Sequence, residues 1–117
     1  MSDAPRTLRM LGLAHCSTCQ KAQAALEAEG WTVEFRDVKD APLSADERRA
    51  LLADFGDRAV NRASLTWRAM SDDERAGDPV AMLGDRPSVM KRPAIIAGDQ
   101  RLLGWTANVK RALGVPV

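Results

Sequence analysis

Cys16-Ser17-Thr18-Cys19 falls where one residue pattern stops and another starts. Before it, Leu8, Met10 and the small Gly12 alternate with Thr7, Arg9 and Leu11, which predicts a strand over Thr7 to Leu13 followed by a polar exit turn. After it, Ala22, Ala25 and Leu26 share a helical face, Gln20 and Lys21 lie opposite, and Gly30 supplies a stop. Ser17 with Gln20 reads as a capping box. Trp31 to Val38 returns to alternation, with Trp31, Val33 and Phe35 on one face and Thr32, Glu34 and Arg36 on the other. A strand, a helix of about a dozen residues and a second strand form a βαβ unit, whose right-handed crossover makes the strands parallel. The cysteine pair then sits at the carboxyl end of the first strand.

The middle of the chain reads as helical. Ser44-Ala45-Asp46-Glu47 forms a capping box ahead of the apolar Leu51, Leu52 and Phe55, ended by Gly56, and Ser71-Asp72-Asp73-Glu74 forms a second box. Asp78-Pro79 opens another helix that runs to Gly84 or Pro87. Pro93 to Ala97 and Arg101 to Gly104 are short apolar runs joined by Gly98-Asp99-Gln100, which predicts an antiparallel hairpin. Thr106 or Asn108 caps a last helix through Val109 and Leu113, stopped by Gly114. The 117 residues suit one domain spanning 1–117, with the helical block inserted between two sheet halves. The large aromatics Trp67 and Trp105 read as core rather than as a platform for a partner.

Several function classes are disfavoured by composition. Lys plus Arg number 17 against 16 Asp plus Glu, for a net charge of +1, and the two signs alternate, so no basic face calls for nucleic acid. No apolar run approaches the ~20 residues needed to span a bilayer, and Met1 to Arg9 lacks the apolar stretch of an export signal. The expectation is a cytoplasmic protein, where a disulfide framework is a poor explanation for two cysteines three positions apart.

The chemistry of the pair follows from its position. At a strand-to-helix junction the sulfur of Cys16 faces free backbone N–H groups and the positive helix end, which favour thiolate over thiol. Such sites lower a thiol from ~8.5 to roughly 3.5–7.5, making Cys16 the candidate nucleophile. Cys19, about one helical turn later, is placed to attack a mixed disulfide at Cys16 and act as the resolving thiol. Tetrahedral zinc would need two further ligands, and the only histidine, His15, directly precedes Cys16. His15 reads as an exposed turn residue.

The order of elements, the C-x-x-C after the first strand, Thr66-Trp67-Arg68 in the helical block and Lys91-Arg92-Pro93 before the hairpin together resemble the arsenate reductase/Spx family of the thioredoxin-like superfamily, from about Thr7 to Leu113. The resemblance implies an α/β thioredoxin-like fold with a four-stranded mixed sheet (parallel βαβ plus antiparallel hairpin) and a helical insert. It implies that Pro93 is cis and shapes the loop facing the nucleophile, that Arg92 points its guanidinium at the thiolate or a bound oxyanion, and that Arg62 is a basic residue near the site. Two positions differ from the glutaredoxin-dependent arsenate reductases: Gly12-Leu13-Ala14 stand where those enzymes place a histidine, and Cys19 is a cysteine that they generally lack and Spx-type regulators possess. The implied activity is a thiol-dependent reductase acting on a small thiol or oxyanion substrate, with glutathione or glutaredoxin as electron donor and no tightly bound cofactor. The alternative is an Spx-like redox sensor that binds RNA polymerase without turnover.

Overall fold

The computed structural model describes residues 6–117. Residues 1–5, which open the stretch read above for an export signal, lie outside the described residues. The sheet consists of β1 (Thr7–Gly12), β2 (Thr32–Asp37), β3 (Ala94–Ala97) and β4 (Gln100–Leu103), in the order β2-β1-β3-β4. β1 and β2 are parallel, joined by α1 (Ser17–Ala28), whereas β3 runs antiparallel to both β1 and β4. This is the mixed sheet expected from the βαβ unit and the hairpin.

Two compact units make up the described chain. One holds the residues up to Asp37 together with Arg92–Val117, and the other is the helical block Val38–Lys91. In the first unit, alternate residues of the central strands, Leu8 and Met10 with Ile95 and Ala97, meet Ala22 and Leu26 of α1 in one buried cluster. Val109 of α6 (Ala107–Ala112) and the following Leu113 join it. Each fully buried Leu, Met or Ile there contributes about 1.5–3 kcal/mol of transfer free energy. Trp31, Val33 and Phe35 pack against the cluster from β2, and Trp105 from beyond β4. The indole Nε1 of Trp31 donates to the Leu113 carbonyl at 3.0 Å, and Arg6 Nη2 donates to the same oxygen at 3.3 Å. They satisfy an acceptor at the end of the last helix that would otherwise lack one.

The helical unit carries α2 (Ala45–Phe55), α3 (Leu65–Ala69), α4 (Asp72–Arg75) and α5 (Pro79–Asp85), with 3₁₀ turns at Gly56–Ala59 and Pro87–Val89. Both expected capping boxes form, at Ser44/Glu47 and Ser71/Glu74. Asp78 accepts from the Val80 N–H ahead of Pro79. No helix among the described residues is long and apolar enough to cross a membrane.

Two local expectations change and a third narrows. Cys16, not Ser17, is the N-cap residue of α1, so Ser17 is already helical and no Ser17/Gln20 box forms; Gln20 Nε2 instead donates to the Ala14 carbonyl at 2.8 Å. The helix expected to run to Gly84 or Pro87, α5, ends between them at Asp85. A Cβ at Gly84 would lie 2.8 Å from Arg48 Cζ, so this glycine makes room for a guanidinium that donates to the Val80 and Leu43 carbonyls at 2.8 and 2.7 Å. In the hairpin, Gln100 pairs with Ala97 as a strand residue. The turn is therefore the two residues Gly98-Asp99, with the positive φ of 59° that Gly98 tolerates at its first position.

Candidate functional site

Strand order brings the site together. β1 ends at Gly12, the chain turns with the Cys16 N–H donating to the Leu13 carbonyl at 3.0 Å, and α1 begins. Cys16 keeps extended φ/ψ of −79° and 117° as N-cap residue, which puts its sulfur at the positive end of a 12-residue helix. Leu11 pairs with Ala94 across β1 and β3, so the residues just before Ala94 flank the exit of β1. There the Arg92–Pro93 peptide is cis, as the family resemblance implies, and Pro93 is fully buried. Cys16, Cys19 and Arg92 thus converge, and both cysteines are free thiols.

The two thiols are driven in opposite directions. Burial pushes the Cys16 thiol up, but it is outweighed by the Cys19 backbone N–H, by a hydrogen bond from Arg92, by one from the Cys19 thiol, and by the positive charge of Arg92. The result is a thiol held below its ordinary value. Its sulfur closes no cap hydrogen bond of ordinary geometry, so the helix end acts on it as an electrostatic field more than as a formal cap. Cys19 is 1% exposed. Burial, then its hydrogen bond and proximity to Cys16, push its thiol up to about 11, against the lowering effects of the Leu13 backbone and the Arg92 charge.

A linkage prediction follows from Cys19. Its folded-state value lies above that of the unfolded chain, so its contribution to stability is complete below the ordinary thiol value of 9.0 and is lost as pH rises toward the folded value of about 11. The loss amounts to on the order of 2–3 kcal/mol. Cys16 has the opposite sign: its contribution is complete above the unfolded value and lost as pH falls through the lowered one, so it adds no alkaline slope. The chain contains no tyrosine, which removes one competing titration. Denaturant midpoints measured from neutral to strongly alkaline pH should fall for the wild type and stay flatter for Cys19→Ala.

Cys19 is seated by an absence. A Cβ on Gly12 would stand 2.5 Å from the Cys19 sulfur and 3.4 Å from the Phe35 ring, so β1 passes close behind the thiol only because residue 12 has no side chain. Sequence reading marked Gly12 as small without this contact. It also missed Asp37, whose Oδ2 accepts the Ala14 N–H at 2.8 Å. The strand register of the structure puts Gly12 directly opposite Asp37.

Arg62 belongs to the helical unit, as an exposed residue with its guanidinium 5.7 Å from the centre of the Trp67 ring. Arg75 lies at the same distance from that ring and donates to the Trp67 carbonyl at 3.0 Å. Trp67 is thus half-buried and flanked by cations. His15 is exposed in the turn. Among the described residues, no group of three His, Cys, Asp or Glu side chains is placed to hold a metal ion. The hollow of about 330 Å³ in the helical unit is lined by Glu74, Asp78, Asp85 and Met82 among others, and holds none of the cysteine-site residues.

No family model matches the chain. An uncharacterised protein of Haemophilus influenzae is 24% identical over 110 residues, covering 90% of this chain and 96% of its own length. Among solved structures, a protein named YffB superposes with a TM-score of 0.83 at 24% identity, over 91% of this chain and 97% of its own. An arsenate reductase (ArsC) related protein from Brucella melitensis gives a TM-score of 0.76 at 25% identity, over 95% and 97%. An arsenate reductase from Vibrio cholerae gives 0.73 at 17% identity, over 97% and 100%.

Proposed function

We propose that this chain, which has the thioredoxin-like fold of the arsenate reductases and their relatives, is a thiol-dependent reductase with Cys16 as nucleophile and Cys19 as resolving thiol. The observation that carries the reading is the split between the two thiols: Cys16 is held below its ordinary value at a partly exposed helix end, while Cys19, one turn away and buried, is held protonated. A thiolate that attacks and a thiol that waits are what a two-step exchange requires.

In the first step the Cys16 thiolate attacks a substrate disulfide; a Cys16–sulfur bond forms, the substrate S–S bond breaks, and one half leaves as a thiolate with the electron pair. Cys19 gives up its proton and attacks the Cys16 sulfur, so the second half departs as a thiol and a Cys16–Cys19 disulfide remains. Two molecules of glutathione supply two electrons, restoring both thiols and leaving glutathione disulfide; a glutaredoxin would serve the same step. Arg92, planar and permanently charged, stabilises the thiolate and suits an anionic group on the substrate through two parallel hydrogen bonds. Pro93 fixes the backbone on which Arg92 sits.

The test is turnover with glutathione against a model disulfide and against arsenate, in wild type, Cys16→Ser and Cys19→Ser. Turnover that vanishes in Cys16→Ser supports the reading, and the substrate that turns over identifies the branch. Reversible oxidation to the Cys16–Cys19 disulfide without turnover on either substrate would overturn it in favour of a redox-sensing protein that grips a partner such as RNA polymerase.

A further inference from the structure

The turn that presents Cys16 is gripped at a single residue, through the two peptide groups that flank it. The N–H of Ala14 donates to Asp37 Oδ2 at 2.8 Å, and the carbonyl of Ala14 accepts from Gln20 Nε2 at 2.8 Å. Asp37 closes β2 directly opposite Gly12, and Gln20 lies in the first turn of α1. The two anchors therefore tie the turn to the neighbouring strand on one side and to the helix that carries Cys19 on the other. Cys16 itself is tied back within the turn by its N–H to the Leu13 carbonyl at 3.0 Å.

We infer that Asp37 and Gln20 are positioning residues for Cys16: by holding the two peptide groups on either side of Ala14 they fix the sulfur where the Cys19 N–H and the Arg92 guanidinium reach it. This deepens the reading of Cys16 as nucleophile and rests on it. Asp37 is an acid, and any charge it exerted on the thiolate would disfavour it, so charge and hydrogen bond would move the Cys16 midpoint in opposite directions.

That conflict of sign makes the inference testable. If Asp37 acted through charge alone, Asp37→Ala and Asp37→Asn would both lower the Cys16 midpoint. If it acts by positioning, Asp37→Ala raises the midpoint while Asp37→Asn, whose amide oxygen still accepts the Ala14 N–H, leaves it unchanged or lowers it. The groups facing the thiol in this titration are Arg92 and Cys19, and Cys19 ionises only near about 11, so the lower step in ultraviolet thiolate absorbance belongs to Cys16. A lost exposed hydrogen bond of about 0.5–1.5 kcal/mol corresponds to a roughly two- to tenfold loss of thiolate below the midpoint. Gln20→Met, an exposed change that keeps the side-chain length and removes the amide that donates, should act in the same direction as Asp37→Ala. Because both act on one residue of the turn, the double variant should lose less than the sum of the singles.

Midpoints that fall equally in Asp37→Ala and Asp37→Asn, or that stay fixed in Asp37→Ala and Gln20→Met, overturn the inference. A wild-type midpoint at the ordinary thiol value would instead sink the nucleophile reading itself, so the two failures are distinguishable.

Discussion

Arg92→Ala should raise the Cys16 midpoint and lower its thiolate absorbance below that midpoint by about tenfold or more, the effect of losing a charge-assisted hydrogen bond of about 1.5–3 kcal/mol at a partly exposed site. The direction follows from the balance at the sulfur. Burial opposes ionisation, and four influences oppose burial; Arg92 supplies two of them, a hydrogen bond and a charge. With Arg92 gone, the Cys19 N–H and thiol are left to counter burial alone. Reactivity should fall less than absorbance does, because intrinsic nucleophilicity rises with thiol basicity with a Brønsted slope of about 0.4–0.5. A tenfold loss of thiolate then becomes only a roughly threefold slower alkylation by a neutral reagent well below the midpoint. Turnover on an anionic substrate should suffer more, since the same guanidinium also receives the substrate. Arg92→Lys keeps the charge and loses the planar fork, so absorbance should recover further than turnover. A loss of turnover no larger than the loss of alkylation rate would show that Arg92 acts only on the thiol, and an unchanged titration would remove it from the site.

How much of this was legible in the sequence depends on the range of the physics involved. The βαβ unit, the hairpin and the Ser44, Ser71 and Asp78 caps are written in residues a few positions apart, and they appear where expected. Local rules misled where a tertiary partner intervened: Gln100 looked like turn chemistry and instead pairs with Ala97. The helix expected to run to Gly84 or Pro87 ends between them at Asp85, and Gly84 accommodates Arg48. Ser17 with Gln20 matched a box, yet the chain assigns the N-cap to Cys16 and uses Gln20 to hold Ala14. At the site, Cys16 and Cys19 were readable from spacing and context, whereas Arg92 and Pro93 drew their roles from family likeness. Asp37 and the contact of Gly12 with Cys19 required the strand register, which no short window of sequence contains. Arg62 sits in the helical unit beside Trp67, a pairing that its neighbours in sequence do not announce.

Gly12→Ala carries the second large effect. The added methyl would begin 2.5 Å from the Cys19 sulfur, well inside contact distance, and the sulfur has little freedom to retreat because Cys19 is 1% exposed and its sulfur is only two bonds from the α1 backbone. Overpacking of this kind costs typically about 1–3 kcal/mol. The functional consequence should be larger than the loss of stability implies. Pushing Cys19 aside removes its hydrogen bond to Cys16, so the Cys16 midpoint rises, and it displaces the resolving sulfur from the line of attack, so mixed disulfide with glutathione accumulates. Cys19→Ala offers the control, because deleting the sulfur empties the space that the Gly12→Ala methyl needs. The double variant Gly12→Ala/Cys19→Ala should therefore be about as stable as Cys19→Ala alone, a strongly non-additive pair. Additive stability losses would mean that the methyl is resisted by Phe35, the next neighbour at 3.4 Å, and that the close approach of β1 serves sheet packing rather than the placement of Cys19. Recovery of stability in the double variant is the pattern that ties this glycine to the second thiol, since the fold then tolerates residue 12 as alanine once the Cys19 sulfur is gone.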